Sequence, residues 1–208
     1  MRFFFLTEPQ FQILVWLSYR IAATFAFGLP LFLLIWAKIS NSSSIDRLLS
    51  IYWKVSSIYA ISILFLSGEN ELGHLISLIS PMLMVSSVWF WIDLNEEIEE
   101  MSFYKSISLT TRIWRWTLTI WGILNTGLHL YSWQCLNSIS LKNCDSWRGI
   151  PSESFMTTKI IIKFILGGDW TKTFATFFGY LALTLYLLGL LQWLFIQLPK
   201  NGRFAGKF

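Results

Sequence analysis

Long uncharged apolar runs alternate with short polar segments along the chain, and those runs set its elements. Leu72 to Ile92, Trp116 to Leu141 and Thr173 to Pro199 contain no Asp, Glu, Lys or Arg. Each reaches the roughly 20 residues that a helix needs to cross a bilayer core. Backbone groups in hydrocarbon must pair within their own segment, so these runs are predicted to be helices. Two further runs carry a flanking charge. Ile21 to Ala37 lies between Arg20 and Lys38 and extends upstream through Gln12–Tyr19, which leaves Arg20 near the interface to snorkel. Gly28-Leu29-Pro30 falls inside that run, where a kink is tolerated if neighbours satisfy the freed carbonyl. The last run extends from about Leu48 to Leu66 and contains Lys54. Ile160–Leu166 is too short for a sixth span and contains Lys163.

The expected fold is therefore all-α, a single membrane domain over residues 1–208 with five transmembrane helices. Their approximate spans are 16–37, 48–66, 72–93, 114–135 and 173–198, with a longer extracytoplasmic loop at 136–172. Within that loop, Phe155–Leu166 places Lys159 and Lys163 on one helix face, as in a helix resting on the bilayer surface. A substrate-gating lid is the functional alternative there. Arg2 and Phe3–Leu6 lack the continuation of a signal peptide, since Glu8 and Pro9 interrupt the run, so a retained interfacial lead-in is expected.

Composition narrows the class. Only 13% of the 208 residues are charged, against about 25% in soluble domains, while 54% are hydrophobic and 18% aromatic. Mean hydropathy is +0.54. A soluble fold of this size cannot hide so much apolar surface, and disorder, collagen and a disulfide-dense scaffold are excluded as well. The net charge of +4 is scattered and forms no nucleic-acid footprint. Lys and Arg number nine on the face holding the 38–54 and 93–115 loops and the C-terminus, against seven on the other. Without the long loop the balance is nine to two, which orients the N-terminus outward and the C-terminus to the cytoplasm. Cys135 and Cys144 share the outward loop, where a disulfide is possible. Two cysteines and two distant histidines are too few for a zinc site.

Candidate chemistry is sparse. Most of the twelve tryptophans, Trp16, Trp36, Trp53 and Trp133 among them, fall near span ends as an interfacial belt. In Trp89-Phe90-Trp91-Ile92-Asp93-Leu94-Asn95-Glu96-Glu97-Ile98-Glu99-Glu100, four acids stand at i, i+3, i+4 and i+7. If the third helix continues past the membrane surface, Asp93, Glu96, Glu97 and Glu100 share one face and need opposing charge. Arg112, Arg115 and Lys105 are the local candidates for an ion-pair network. Docking of a basic partner and a divalent-cation site are the other two readings. Arg112-Ile113-Trp114-Arg115-Trp116 reads as a headgroup anchor with cation–π support. His74 and His129 sit toward the outer ends of adjacent antiparallel helices. Hydrogen-bonded boundary residues are the plain reading, and a haem or chlorophyll site the functional one. No hydrolase, phosphate-binding or dinucleotide motif occurs, so no catalysis is expected. Transport would call for intramembrane charges or matching broken helices, which are missing from the pattern.

The Trp89–Glu100 block resembles a family of small cyanobacterial multi-pass membrane proteins defined only as a domain of unknown function. Trp16-Leu17-Ser18-Tyr19-Arg20, Gly28-Leu29-Pro30-Leu31, Ile51-Tyr52-Trp53-Lys54-Val55, Trp114-Arg115-Trp116, the two cysteines and the basic tail extend the likeness. The resemblance implies a thylakoid or plasma-membrane protein and brings no activity or catalytic residues. The expected function is an accessory or assembly factor that contacts membrane lipids and binds a larger membrane complex through the acidic stripe, without nucleic acid or a resident cofactor. A haem- or pigment-binding redox protein and a small-solute transporter are the alternatives.

Overall fold

The structure, a computed structural model, describes residues 8–102, 106–132, 147, 149 and 171–197. Described secondary structure is helical throughout, with no strand among the described residues. A first long helix consists of α1 (Glu8–Ile21), a π segment (Ala22–Gly28) and α2 (Leu29–Ile39). It is followed by α3 (Ser43–Ser67), α4 (Leu72–Trp89), the short α5 (Ile92–Glu100), α6 (Ser106–Tyr131) and α7 (Lys172–Gln192), which runs into a second π segment, Trp193–Gln197.

Four helices are long and apolar enough to cross a membrane: Pro9–Ile39, Ser43–Ser67, Leu72–Trp89 and Lys172–Gln192. They coincide with four of the five expected spans. The fifth expectation falls on α6, whose 26 residues are long enough. Its Arg, Thr, Asn and His side chains, however, leave it outside the set that qualifies by hydropathy. Boundaries differ in a consistent way. The first helix and α3 begin about two turns or less before the apolar runs, because polar residues extend a helix beyond hydrocarbon without penalty. The helix expected over 72–93 ends at Trp89 instead. Cys135 and most of the 136–172 loop, including Cys144 and Phe155–Leu166, lie outside the described residues.

α3 is the central helix, packed on α2, α4 and α7, and α4 packs in turn on α6. Its connection to α4 is tight. Asn70 N–H donates to Phe65 O at 2.9 Å, Asn70 Oδ1 accepts from Leu72 N–H at 3.0 Å, and Glu69 adopts φ 56°. The core gathers Leu33, Leu48, Tyr52, Met84, Trp114 and Leu118. Outward faces are apolar too: Phe32, Ile120, Leu124 and Leu185 are all more than half exposed. Continuous exposed apolar surface of this kind suits lipid, not water.

The π segment has a local cause. Pro30 has no N–H, so neither an i−4 nor an i−5 bond can form from it, and the carbonyls of Ala26 and Phe25 lose their axial donors. Side chains from other helices replace them. Tyr52 hydroxyl donates to Ala26 O at 2.8 Å, and Trp114 Nε1 donates to Phe25 O at 2.9 Å. The expectation that neighbours must satisfy the freed carbonyl at Gly28-Leu29-Pro30 holds, with two donors in place of one.

Candidate functional site

α5 is an amphipathic helix laid at the end of the bundle. Leu94 and Ile98, four apart, are fully buried in the core. Trp91 takes an extended conformation (φ −87°, ψ 112°) and separates α5 from α4. The acidic stripe is therefore on its own short helix and not on a continuation of the third span. Asn95 fastens the break: its Nδ2 donates to Trp89 O at 3.0 Å while its Oδ1 accepts from Arg115 Nη2 at 2.5 Å. Sequence spacing alone does not show this residue's role, and the apolar Leu94/Ile98 pair was the available signal that the helix had a core face.

The two expected arginines both reach α5. Arg112 Nη2 donates to the carbonyls of Ile98, Glu99 and Met101 at 2.7, 2.8 and 3.0 Å. It thereby caps the C-terminus of α5, whose last carbonyls lack intrahelical donors. Arg115 is buried, and its guanidinium lies 4.1 Å over the Trp89 ring. Trp89 Nε1 is held in turn by Thr119 Oγ1 at 2.9 Å. The headgroup-anchor reading of this stretch is corrected for Trp114, which is wholly buried, and fits Trp116, which is exposed.

Glu97 is one tethered acid of the stripe. Arg47, from the first turns of α3, reaches Oε1 at 2.9 Å and Oε2 at 2.7 Å, and Ser44 hydroxyl donates to the same carboxylate. The Ser44 hydrogen bond lowers the Glu97 carboxyl most, burial works against it, and the hydrogen bond and charge of Arg47 lower it further, so that it lies below its ordinary value of 4.5. A carboxylate with a lowered folded-state pKa stabilises above its unfolded value, and that contribution fades as pH falls through the lowered one. The tether is half-exposed, so its energetic weight is modest. The protection factors of the α5 amides, with the intrinsic pH dependence of exchange divided out, should stay constant from neutral pH down to about 4.5 and fall only below that value. In Glu97→Gln the exchange should be faster at neutral pH, and this acid step should disappear.

Of the other stripe residues, Asp93 is half-buried and Glu96 and Glu100 are exposed, together with Glu99 at the flank. Lys105 lies outside the described residues. α5 thus presents exposed carboxylates from an anchored helix at one end of the bundle. No group of three or more His, Cys, Asp or Glu residues able to hold a metal ion occurs among the described residues.

At the other end, the two histidines do come together. His74 on α4 and His129 on α6 are both buried and within each other's electrostatic reach. Ser77 links them: its hydroxyl donates to His74 O at 3.0 Å and lies 3.4 Å from His129 Nδ1. Trp147, helical within the stretch expected to be the long loop, stacks on the His129 ring at 3.8 Å and donates from Nε1 to Ser132 Oγ at 3.0 Å. Tyr19 hydroxyl closes the group by donating to Trp147 O at 3.0 Å. His129 Nε2 is buried without a hydrogen-bond partner among the described residues.

Comparison with curated proteins and with solved structures returns no match. A family model described as a protein of unknown function, DUF3177, matches residues 12–206, nearly the whole sequence. A helical chain with several span-capable helices and an α5 acid face is thus seen across the matched region, and the chain belongs to the DUF3177 family.

Proposed function

We propose that this protein is a non-catalytic accessory or assembly factor that docks a basic surface of a larger membrane complex onto α5. In this reading α6 is a fifth transmembrane helix, the N-terminus is extracytoplasmic and α5 faces the cytoplasm. The resemblance to cyanobacterial proteins points to a thylakoid or plasma membrane. One observation carries the docking role. α5 is held on its inner side by Leu94, Ile98, Arg47 and Arg112, and Glu96 and Glu100 remain directed outward from that fixed frame. A rigid acidic row loses little freedom on binding, and its charges give on-rate and register against a basic partner.

The His74–His129 pair supports a second reading as a cofactor carrier, because the buried Nε2 of His129 has no hydrogen-bond partner among the described residues. Purification from native membranes separates the two. Docking through α5 predicts partners that co-purify with the wild type, fall away in raised salt and are largely lost from a Glu96→Gln/Glu100→Gln variant. Equal recovery of every partner with both proteins would sink it. A Soret or chlorin band in the same purified sample supports the second reading, and a colourless sample removes it.

A further inference from the structure

A second feature lies on the side of the bundle, remote in chemistry from the acidic helix. α7 packs on the bundle through its first two thirds, where Ala182, Leu183 and Tyr186 lie against the Ile61, Phe65 and Ile76 cluster, and meets it again at its far end. In its first half Ala175 and Gly179 are buried, with Gly179 against the Phe65 ring and Tyr180 edge-on to Phe65 at 5.0 Å. At its far end Trp193 meets Trp91 at 6.2 Å. Between these contacts α7 stands away from α3 and α4 and leaves a cavity of about 720 Å³. Ile51, Lys54, Leu83, Leu185, Gly189 and Trp193 mark its walls.

We propose that this cavity binds one acyl chain of an anionic phospholipid, with the phosphate placed at Lys54. Leu185 and Leu190 are 62% and 40% exposed, so the wall is open sideways to the hydrocarbon. A void bounded by apolar side chains forfeits dispersion contacts and does not hold water, and in a bilayer the adjacent acyl chains fill it. From Leu185 to Trp193 the helix rises about 12 Å, enough for the upper part of one chain. The volume falls within the range of about 300–1,000 Å³ typical of small-molecule sites.

The cavity is polarised along its length. Trp91 and Trp193 line it from just past the far ends of α4 and α7, Leu83 and Leu185 line it about two turns earlier on the same helices, and Lys54 lines it from α3. That is the polarity of a phospholipid: cation and interfacial aromatic at headgroup depth, aliphatic surface deeper. Charge complementarity selects an anionic headgroup. Lys54 lines the site and supplies that charge.

Native mass spectrometry of the full-length protein from nanodiscs of equimolar phosphatidylglycerol and phosphatidylcholine tests this. A Cβ at Gly189 would meet nothing within 4 Å, so Gly189→Trp plugs the cavity without straining the backbone. The wild type should retain one phosphatidylglycerol, favoured over phosphatidylcholine by about fivefold. Lys54→Gln should keep a lipid but lose that preference, Gly189→Trp should lose the lipid, and Gly189→Ala should behave as the wild type. All variants should melt within a few degrees of each other, which separates loss of the site from loss of the fold. Equal retention of both lipids by the wild type would overturn the proposal. So would undiminished retention by Gly189→Trp, or an isoprenoid occupying the site in protein from native membranes.

Discussion

Replacing Trp114 with alanine is expected to destabilise the bundle by about 3–5 kcal/mol, the range for removing a large buried aromatic side chain. Two losses combine. The indole is fully buried and meets Tyr52 edge-on at 5.0 Å, so its removal opens a cavity at the centre of the core. It also leaves Phe25 O without its donor, in a π segment where Pro30 cannot supply one. Trp114→Phe separates the terms, keeping most of the ring while orphaning the carbonyl, and should cost about 1–3 kcal/mol. In a Pro30→Ala background the phenylalanine penalty should shrink, because a backbone N–H again competes for the freed carbonyls. Thermal unfolding in mild detergent, followed by tryptophan-independent circular dichroism, measures all three. A Trp114→Phe penalty that is unchanged in the Pro30→Ala background would show that the indole contributes by packing alone.

Trp114 also shows how far local pattern reaches. Its neighbours Arg112, Arg115 and Trp116 mark an interface, and Trp116 is indeed exposed. What buries Trp114 is a helix defect 89 positions away, and nothing in the spacing around residue 114 encodes that distance. The four span-capable helices are legible because hydrocarbon imposes a one-dimensional rule, an uncharged run of sufficient length. α6 is less legible, since its polar side chains face protein: Thr111, Asn125 and His129 are buried on α6. The end of α4 is hidden for a related reason. Phe90 and Trp91 continue the apolar run, while the break depends on Asn95 bridging Trp89 O and Arg115, contacts made across a fold.

The acidic stripe divides in the same manner. Its residues and their helical face follow from i, i+3, i+4 spacing, but the partner of Glu97 does not. Arg47 stands 50 positions upstream, and Arg112, the nearby candidate, is engaged with the carbonyls that end α5. Local charge bookkeeping finds which groups need partners; the tertiary fold decides which partner each obtains. The histidine pair is the converse case. Two lone residues at matching depth on neighbouring helices were enough to place them together, whereas Trp147, which packs on His129, comes from a stretch with no apolar periodicity to read.

The opposite sign of effect is expected at two glycines that look equivalent in the sequence. Gly73, in the first turn of α4, faces the last turn of α3 so closely that a Cβ would lie 2.8 Å from Leu66 N and 2.9 Å from Leu66 Cγ. Backbone cannot yield as a side-chain tip does, so Gly73→Ala must push the two helices apart at their connection. Helix association in lipid rests on packing of this kind, since apolar burial between helices gives no driving force there. The displacement is not confined to one contact, because the adjoining turn is fixed by Asn70 and Gly68 packs against Thr176 of α7. Overpacking of this sort costs about 1–3 kcal/mol, and Gly73→Val should exceed that range. Gly127, inside α6, has nothing within 4 Å of its Cβ position and is exposed. Gly127→Ala should therefore stabilise by about 0.5–1 kcal/mol through helix propensity alone. Melting temperatures of the two alanine variants should fall on opposite sides of the wild type. A Gly73→Ala protein as stable as the wild type would mean that the α3–α4 approach is looser than these distances require.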